Sequence, residues 1–231
     1  FYNDGDMNLS KSSDHFNVIY SSQDNNLITQ FIERIELFHS IVSSSLGVNP
    51  TEKTNIFLYK DLDHLHLAQG YPENDENSTG SAHGKILFIM LSPAKMGLNE
   101  GLGLFAHEYT HCMNAWKTKV TLPAWLNEGV ACYFGRQIST KDWIKSITDQ
   151  RGKPVIQDIF NTDMGYAYSF IVAYYIIKTK EMPAMAKFIE NMNYSDIGYS
   201  GLPALQNDWN NFLDVYLNTQ TNVKVKLSVN M

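Results

Sequence analysis

The chain has 231 residues, of which 44% are hydrophobic and 18% charged, and its net charge is −6. This length allows a full buried core without disulfide staples, while the acidic balance excludes the basic surface typical of nucleic-acid-binding proteins. No apolar run approaches the ~20 residues of a membrane span. Many of the polar residues are Asn, Ser and Tyr, and the first residue is not Met. We therefore expect an exported protein, extracellular or on the cell surface, whose signal peptide has been removed.

The apolar pattern predicts an α+β fold. In chain order it indicates a frayed polar start (1–15), a strand (16–21), a helix capped by Asp24 that ends at Gly47, a strand (54–59), a short helix (61–68), a loop (70–84) and a strand (86–91). Helices then follow over 99–116, 122–137, 165–179, 183–192 and 203–218, with a terminal strand over 223–229. We therefore divide the chain into an N-terminal α/β part, 1–98, and a helical part, 99–231, within one compact unit.

The two cysteines, Cys112 and Cys132, are too few for a disulfide framework. Free cysteines pack as small hydrophobic side chains, so one interpretation is two buried thiols. The other is a single disulfide that joins the two helices on which these residues are predicted.

The strongest chemical signal is the HEYTH segment at residues 107–111. On a helix, His107 and His111 lie on one face about 6 Å apart, so both imidazoles can bind one Zn²⁺. Glu108 lies at the edge of that face, where it can reach a water molecule beside the metal without binding the metal itself. Apolar neighbours predict that this helix is buried, and a metal ion removes the cost of burying unpaired polar groups.

A catalytic zinc ion needs three protein ligands and one open position. Glu128 is the best third ligand, because Thr121 and Pro123 predict the start of a second helix that can run antiparallel to the first. Glu100, one heptad before His107, is either an outer partner of the site or a solvent-facing residue. The remaining histidines carry no ligand pattern and are interpreted as ordinary residues: His15, His39, His64, His66 and His83.

HEYTH followed by the Trp-Leu-Asn-Glu-Gly segment of residues 125–129 resembles the gluzincin zinc metallopeptidases, and most closely the small peptidase-MA-like proteins of bacteria. The resemblance extends over residues 85–217. It implies a zincin-like fold with a small mixed sheet, one zinc ion and a peptide or protein substrate. It also implies that the strand over 86–91 is an edge strand that pairs with an extended substrate, although an ordinary core strand fits its apolar run equally well.

Two departures from the family pattern refine this expectation. The Gly-x-Met-Glu-Asn motif with which zinc aminopeptidases hold a free amine is missing, which favours an endopeptidase. Thermolysin-like members carry an Asp four residues after the ligand Glu, as a partner of a histidine, where this chain has Cys132. A backbone carbonyl is our candidate for orienting the histidines instead.

The resemblance also implies a side chain that stabilises the oxyanion of the transition state. Tyr166 matches the family's Tyr-Ala-x-Ser segment and is our candidate, with Tyr168 as its rival. Alternatively, both are packing aromatics in a Tyr-rich helix.

The predicted mechanism is peptide hydrolysis in which zinc lowers the pKa of a water molecule toward 7 and Glu108 takes its proton, later passing it to the leaving amine. Two alternatives stay open. One is a non-catalytic, zinc-bearing peptidase-like module that binds a partner, and the other is a zinc hydrolase of a non-peptide amide. The oligomeric state and the substrate preference cannot be predicted from the sequence.

Overall fold

A computed structural model describes residues 7–21, 25–70, 79–91, 98–137 and 141–219. Within these ranges the strands are β1 Leu9–Ser12, β2 Phe16–Tyr20, β3 Thr54–Tyr59, β4 Gly80–His83 and β5 Ile86–Met90. The α-helices are α1 Asn25–Leu46, α2 Leu62–Gln69, α3 Leu98–Lys117, α4 Ala124–Gly135, α5 Lys141–Arg151, α6 Gly165–Asn191 and α7 Leu202–Asn218, with two 3₁₀ turns at Ile156–Asn161 and Tyr194–Ile197. The predicted Asp24 cap and the strand over 223–229 lie outside the described residues.

The strands form one five-stranded mixed sheet in the order β1-β2-β3-β5-β4. The three central strands β2, β3 and β5 are parallel, while β1 and β4 pair antiparallel at the two edges. The protein is thus α+β, with the sheet near the N-terminus and a mostly helical remainder, as the sequence predicts. Among the described residues, no helix combines the length and the apolar character needed to cross a membrane.

Both faces of the sheet are covered, because successive apolar side chains of the central strands point to opposite faces. Ile56 and Leu58 of β3 join a large core shared with α1, α3, α4 and α6. Phe88 and Met90 of β5 face the other way and pack with Leu65 of α2. The large core continues into α7, so sheet and helices share one apolar interior. The division of the chain at residue 98 stays a prediction.

Two short strands were missed by the sequence pattern. The polar start contains β1, and the end of the loop predicted over 70–84 forms β4. Both have few apolar residues and are held by main-chain pairing to a neighbouring strand, which leaves little alternation to detect. Because β4 covers one side of β5 and β3 the other, the prediction that the strand over 86–91 is an edge strand is wrong. The edge strand on this side is β4.

The helical part differs from the prediction at α5 and agrees with it at the break within α6. Helix α5 was missed because its sequence is mostly polar and only Ile144 and Thr148 are buried. The helices predicted over 165–179 and 183–192 are the two halves of α6, which are separated by the non-helical backbone of Glu181 (φ 68°, ψ 161°), as the sequence predicts. Pro183 lacks a backbone N–H and disfavours helical geometry in the residue before it, which explains a break at this point.

At Gly129, helix α4 meets α6 without a side chain of its own. A Cβ atom at Gly129 would lie 2.4 Å from the Ser169 carbonyl oxygen and 3.0 Å from the Ala173 Cβ. The backbone of α6 cannot move away from such an atom without disturbing the core around it. Gly129 therefore sets how closely these two helices approach.

We predict that Gly129→Ala lowers the free energy of unfolding by about 1–3 kcal/mol, because the added methyl group overpacks the contact between α4 and α6. Chemical denaturation followed by circular dichroism measures this change. Gly101→Ala in α3 is the matched control, since its Cβ would meet only the flexible end of Leu91, and Ala is favoured over Gly in a helix by roughly 0.5–1 kcal/mol. Equal stability of both variants would contradict the proposed role of Gly129.

Candidate metal centre

The site is built where α3 and α4 cross. At the crossing, a Cβ atom on Gly135 of α4 would lie 3.0 Å from the carbonyl oxygen of Gly103 and 3.1 Å from the Cβ of His107 on α3. Since neither glycine has a side chain, the two backbones come into direct contact. Glu128, two turns before Gly135 on α4, is thereby brought over the histidine face of α3.

Three side-chain atoms converge at this crossing. The Nε2 atoms of His107 and His111 lie 3.1 Å apart, and the Oε2 atom of Glu128 lies 3.2 Å from the first and 3.4 Å from the second. Tetrahedral ligands with bonds of roughly 2.0–2.1 Å are separated by about 3.3–3.4 Å. Within the described part of the chain, this group fits a metal ion. The residues predicted from HEYTH and Glu128 are therefore brought together.

The electrostatics of the group favour an ionised Glu128. Burial acts to raise its pKa, but hydrogen bonding and attraction from His107 and His111 outweigh burial and lower the pKa to about 2. The pKa of His111 is raised for the reciprocal reason, since contact with Glu128 outweighs the opposing effect of burial. A negative charge is thus held among two imidazoles, and a divalent cation would satisfy all three groups at once.

The second ring nitrogens of the two histidines point away from the ligand group. Their Nδ1 atoms are buried and have no hydrogen-bond partner among the described residues, so the prediction that a backbone carbonyl orients them is wrong. Cys132, four residues after Glu128, has its sulfur 3.7 Å from the Oε1 atom of Gln137. A Cβ atom on Gly135 would lie 3.1 Å from the Cβ of His107, so the backbone of α4 packs against the base of this side chain.

An asparagine pair that sequence analysis missed joins the two helices beside the ligands. Nδ2 of Asn114 on α3 donates to Oδ1 of Asn127 on α4 at 3.0 Å, and the side chain of Asn127 also interacts with His111. Asn114 is buried, and its own Oδ1 has no partner among the described residues. Asn114 lies three residues after His111 and therefore on the same helix face, and this spacing is the sequence signal that could have identified it.

Glu108 lies between the ligands and the edge of the sheet. It is buried, and a Cβ atom on Gly80 of β4 would lie 3.2 Å from its Cγ. Burial raises the pKa of Glu108, while the neighbouring His107 and His111 act to lower it. It is not one of the three ligand groups, so its carboxylate is available for proton transfer.

The two candidate tyrosines have different surroundings. Tyr166, in the first turn of α6, is 58% exposed, and its ring centroid lies 6.3 Å from that of His107. Tyr168 is 2% exposed, and its hydroxyl lies 2.7 Å from Thr148 Oγ1. Its ring packs edge-on against Trp209 in the core. Of the two tyrosines, Tyr166 has its ring beside His107, while the hydroxyl of Tyr168 is bound to Thr148 in the core, and the role of either in catalysis stays a prediction.

The remaining histidines are not part of this group. The rings of His15 and His39 stack with centroids 3.6 Å apart, and Nδ1 of His39 lies 2.6 Å from the hydroxyl of Tyr109. This buried contact lets α1 anchor the HEYTH helix through Tyr109, a role that the sequence did not reveal. Glu100 is exposed and is not among the ligands, which agrees with its rank as a weaker candidate.

Both cysteines lie close to the ligands but are not bonded to each other. Cys112 and Cys132 are buried free thiols, which confirms that interpretation over the disulfide. Burial and the negative charge of Glu108 raise the pKa of the Cys112 thiol to about 12. For Cys132, burial and the charges of Glu128 and Glu108 also raise the pKa to about 12. Both side chains are therefore uncharged at neutral pH.

We predict that Asn114→Ala weakens zinc binding by about 10–100-fold, because Asn127 loses the partner that holds it beside His111. Titration of zinc against a competing chelator measures this affinity. Asn211→Ala, at an exposed position of α7, is the matched control and should bind as the unchanged protein does. An unchanged affinity for Asn114→Ala would show that packing alone positions the ligands.

Comparison with known proteins gives no further indication of function, since the chain matches no protein-family model and no curated protein is significantly similar to it.

Proposed function

We propose that this protein is a zinc-dependent metallopeptidase with a zincin-like fold, and that it cleaves peptide bonds within a chain. The observation that carries this proposal is the 3.1–3.4 Å spacing of two histidine nitrogens and one carboxylate oxygen with the carboxyl group of Glu108 beside them. Two imidazoles and one carboxylate with an open fourth position form a donor set typical of catalytic zinc. Supporting this proposal, the three ligand atoms already lie at distances that suit one metal ion, with α3 and α4 in their present positions.

A zinc ion bound there would supply the chemistry of lowering the pKa of a water molecule and polarising a carbonyl group. Glu108 would accept a proton from the attacking water molecule and deliver it to the amine that leaves. Its buried position supports this role, because a raised pKa brings a carboxylate closer to the pKa of the groups with which it exchanges protons. His107, His111 and Glu128 hold the metal and take no part in proton transfer.

The edge strand β4 is our proposed support for the substrate. It is the last strand of the sheet and pairs on one side with β5, and its Gly80 contacts the side of Glu108. An extended peptide that added to the outer side of β4 by main-chain hydrogen bonds would pass next to Glu108. This arrangement suits a long substrate better than a free amino acid amide, in keeping with internal cleavage.

Tyr166 is our proposed oxyanion stabiliser. Its ring lies beside His107 and packs edge-on against Phe160, with centroids 5.3 Å apart. A Cβ atom on Gly165 would lie 3.1 Å from the Phe160 ring, so the glycine allows the two aromatic rings to meet. The exposed phenol can donate a hydrogen bond to the charge that develops on the substrate carbonyl oxygen.

We predict that Glu108→Gln retains zinc but lowers turnover by at least about 10²–10⁴-fold, because the amide cannot accept the proton. Cleavage of a denatured protein mixture, with and without a chelator, measures turnover, and elemental analysis measures zinc. Glu100→Gln, two turns earlier on the same helix, is the matched control and should cleave normally. Wild-type cleavage by the Glu108 variant would refute its role, while the absence of any chelator-sensitive product from the wild type would favour a binding module.

We predict that Tyr166→Phe lowers kcat by about 10²–10³-fold with little change in KM or zinc content, because only the transition state loses a hydrogen bond. Tyr168→Phe should instead lower the free energy of unfolding by about 1 kcal/mol, through loss of its bond to Thr148, and leave kcat unchanged. Peptide kinetics and chemical denaturation of both variants separate these effects. A normal kcat for Tyr166→Phe would assign this ring to packing.

A further inference from the structure

A cavity lies between α1, the first half of α3 and the end of α4, and it borders the crossing of α3 and α4 at Gly103 and Gly135. Its volume is about 810 Å³, which is within the range of ~300–1,000 Å³ found for small-molecule sites. Among the described residues, neither the three ligands nor Glu108 nor Tyr166 lines it. Its lining is therefore distinct from the residues that we propose for peptide cleavage.

The walls of this cavity are mainly apolar and belong to packed helices. Leu37, Phe38 and Ile41 of α1 face Leu102 of α3 and Tyr133 of α4 across it. Leu37 is 43% exposed, although it is a large aliphatic side chain on a long helix. Apolar walls that stay open to solvent favour a ligand with a hydrocarbon portion, since such a ligand removes this surface from water.

The cavity also carries positive charge. Arg34 and Arg136 line it, and neither guanidinium has an ion-pair partner among the described residues. Phe38 of α1 and Phe134 of α4 contact each other with ring centroids 6.3 Å apart. Arg34 lies one helical turn before Phe38, and Arg136 lies two residues after Phe134. Both arginines are therefore near the same contact between α1 and α4.

Glu100 is also in the lining, so the lining contains two positive side chains and one negative side chain in a protein whose net charge is −6. A locally positive, partly apolar cavity in an acidic protein is complementary to an anion attached to a hydrocarbon chain. Arginine is well suited to this role, because its planar group binds a carboxylate through two parallel hydrogen bonds.

We propose that this cavity binds a long-chain carboxylic acid, with its hydrocarbon chain against the apolar helix walls and its carboxylate bound by Arg34 and Arg136. The cavity volume of about 810 Å³ accommodates a single hydrocarbon chain. This binding needs neither the metal nor Glu108.

Calorimetric titration of the full chain with dodecanoate below its micelle concentration tests the proposal. We expect one site per chain, with the same affinity in the presence of a chelator and in Glu108→Gln, so failure here is distinguishable from failure of the peptidase proposal. Uncharged dodecanol should bind more weakly. Absence of dodecanoate binding, equal affinity for dodecanol, or tighter binding of dodecyl phosphate would each overturn the assignment to a carboxylic acid.

Variants locate the site. Arg34→Gln and Arg136→Gln should each weaken dodecanoate by up to about fivefold without affecting dodecanol, and Lys145→Gln on α5, outside the lining, should have no effect. Leu37→Asp should weaken both ligands, while Val215→Asp, at an exposed aliphatic position of α7, should weaken neither. Wild-type affinities in both arginine variants, or in a folded Leu37→Asp protein, would place the ligand elsewhere.

Discussion

The metal centre depends on how closely α4 is held between two other helices. Gly135 puts the backbone of α4 directly on α3, and Gly129 puts it directly on α6. Packed helix axes are usually 8–10 Å apart, depending on the side chains at the contact. A larger residue at either glycine would displace α4, and a displacement of ~1 Å is large compared with the precision that a metal centre requires.

Two carboxylates lie at this crossing in different environments, and the difference suits them to different roles. Glu128 faces two imidazoles, which lower its pKa to about 2 in spite of burial. Glu108 is one position along the helix from His107, and burial raises its pKa. One carboxylate stays ionised as a ligand, and the other is better able to exchange a proton. Divergent environments for paired acids are a common way to assign acid–base chemistry.

The ligand group could be predicted from the sequence because two of its members have helical spacing. His107 and His111 are four residues apart on one helix, so their common face follows from helix geometry alone. Glu128 could be proposed because Pro123 marks the start of the next helix. The chemistry of this group as a zinc site, and the family resemblance, remain proposals.

Features that depend on tertiary packing could not be predicted. Tyr166 and Tyr168 are two residues apart in the same apolar run, and only the contacts of Tyr168 with Thr148 and Trp209 place it in the core. The contact of His39 with Tyr109 joins residues far apart in sequence. The position of β5 inside the sheet depends on β4, whose short polar sequence carries no strand pattern.

X-ray absorption at the zinc edge of the zinc-loaded protein tests the central claim most directly, because it counts the ligand atoms and identifies their elements. The account predicts one zinc per chain with only nitrogen and oxygen neighbours at roughly 2.0–2.2 Å, two of them from imidazole rings. A sulfur neighbour at about 2.3 Å would show that Cys112 or Cys132 binds the metal. That result, or a protein that takes up no zinc, would contradict the assignment of His107, His111 and Glu128.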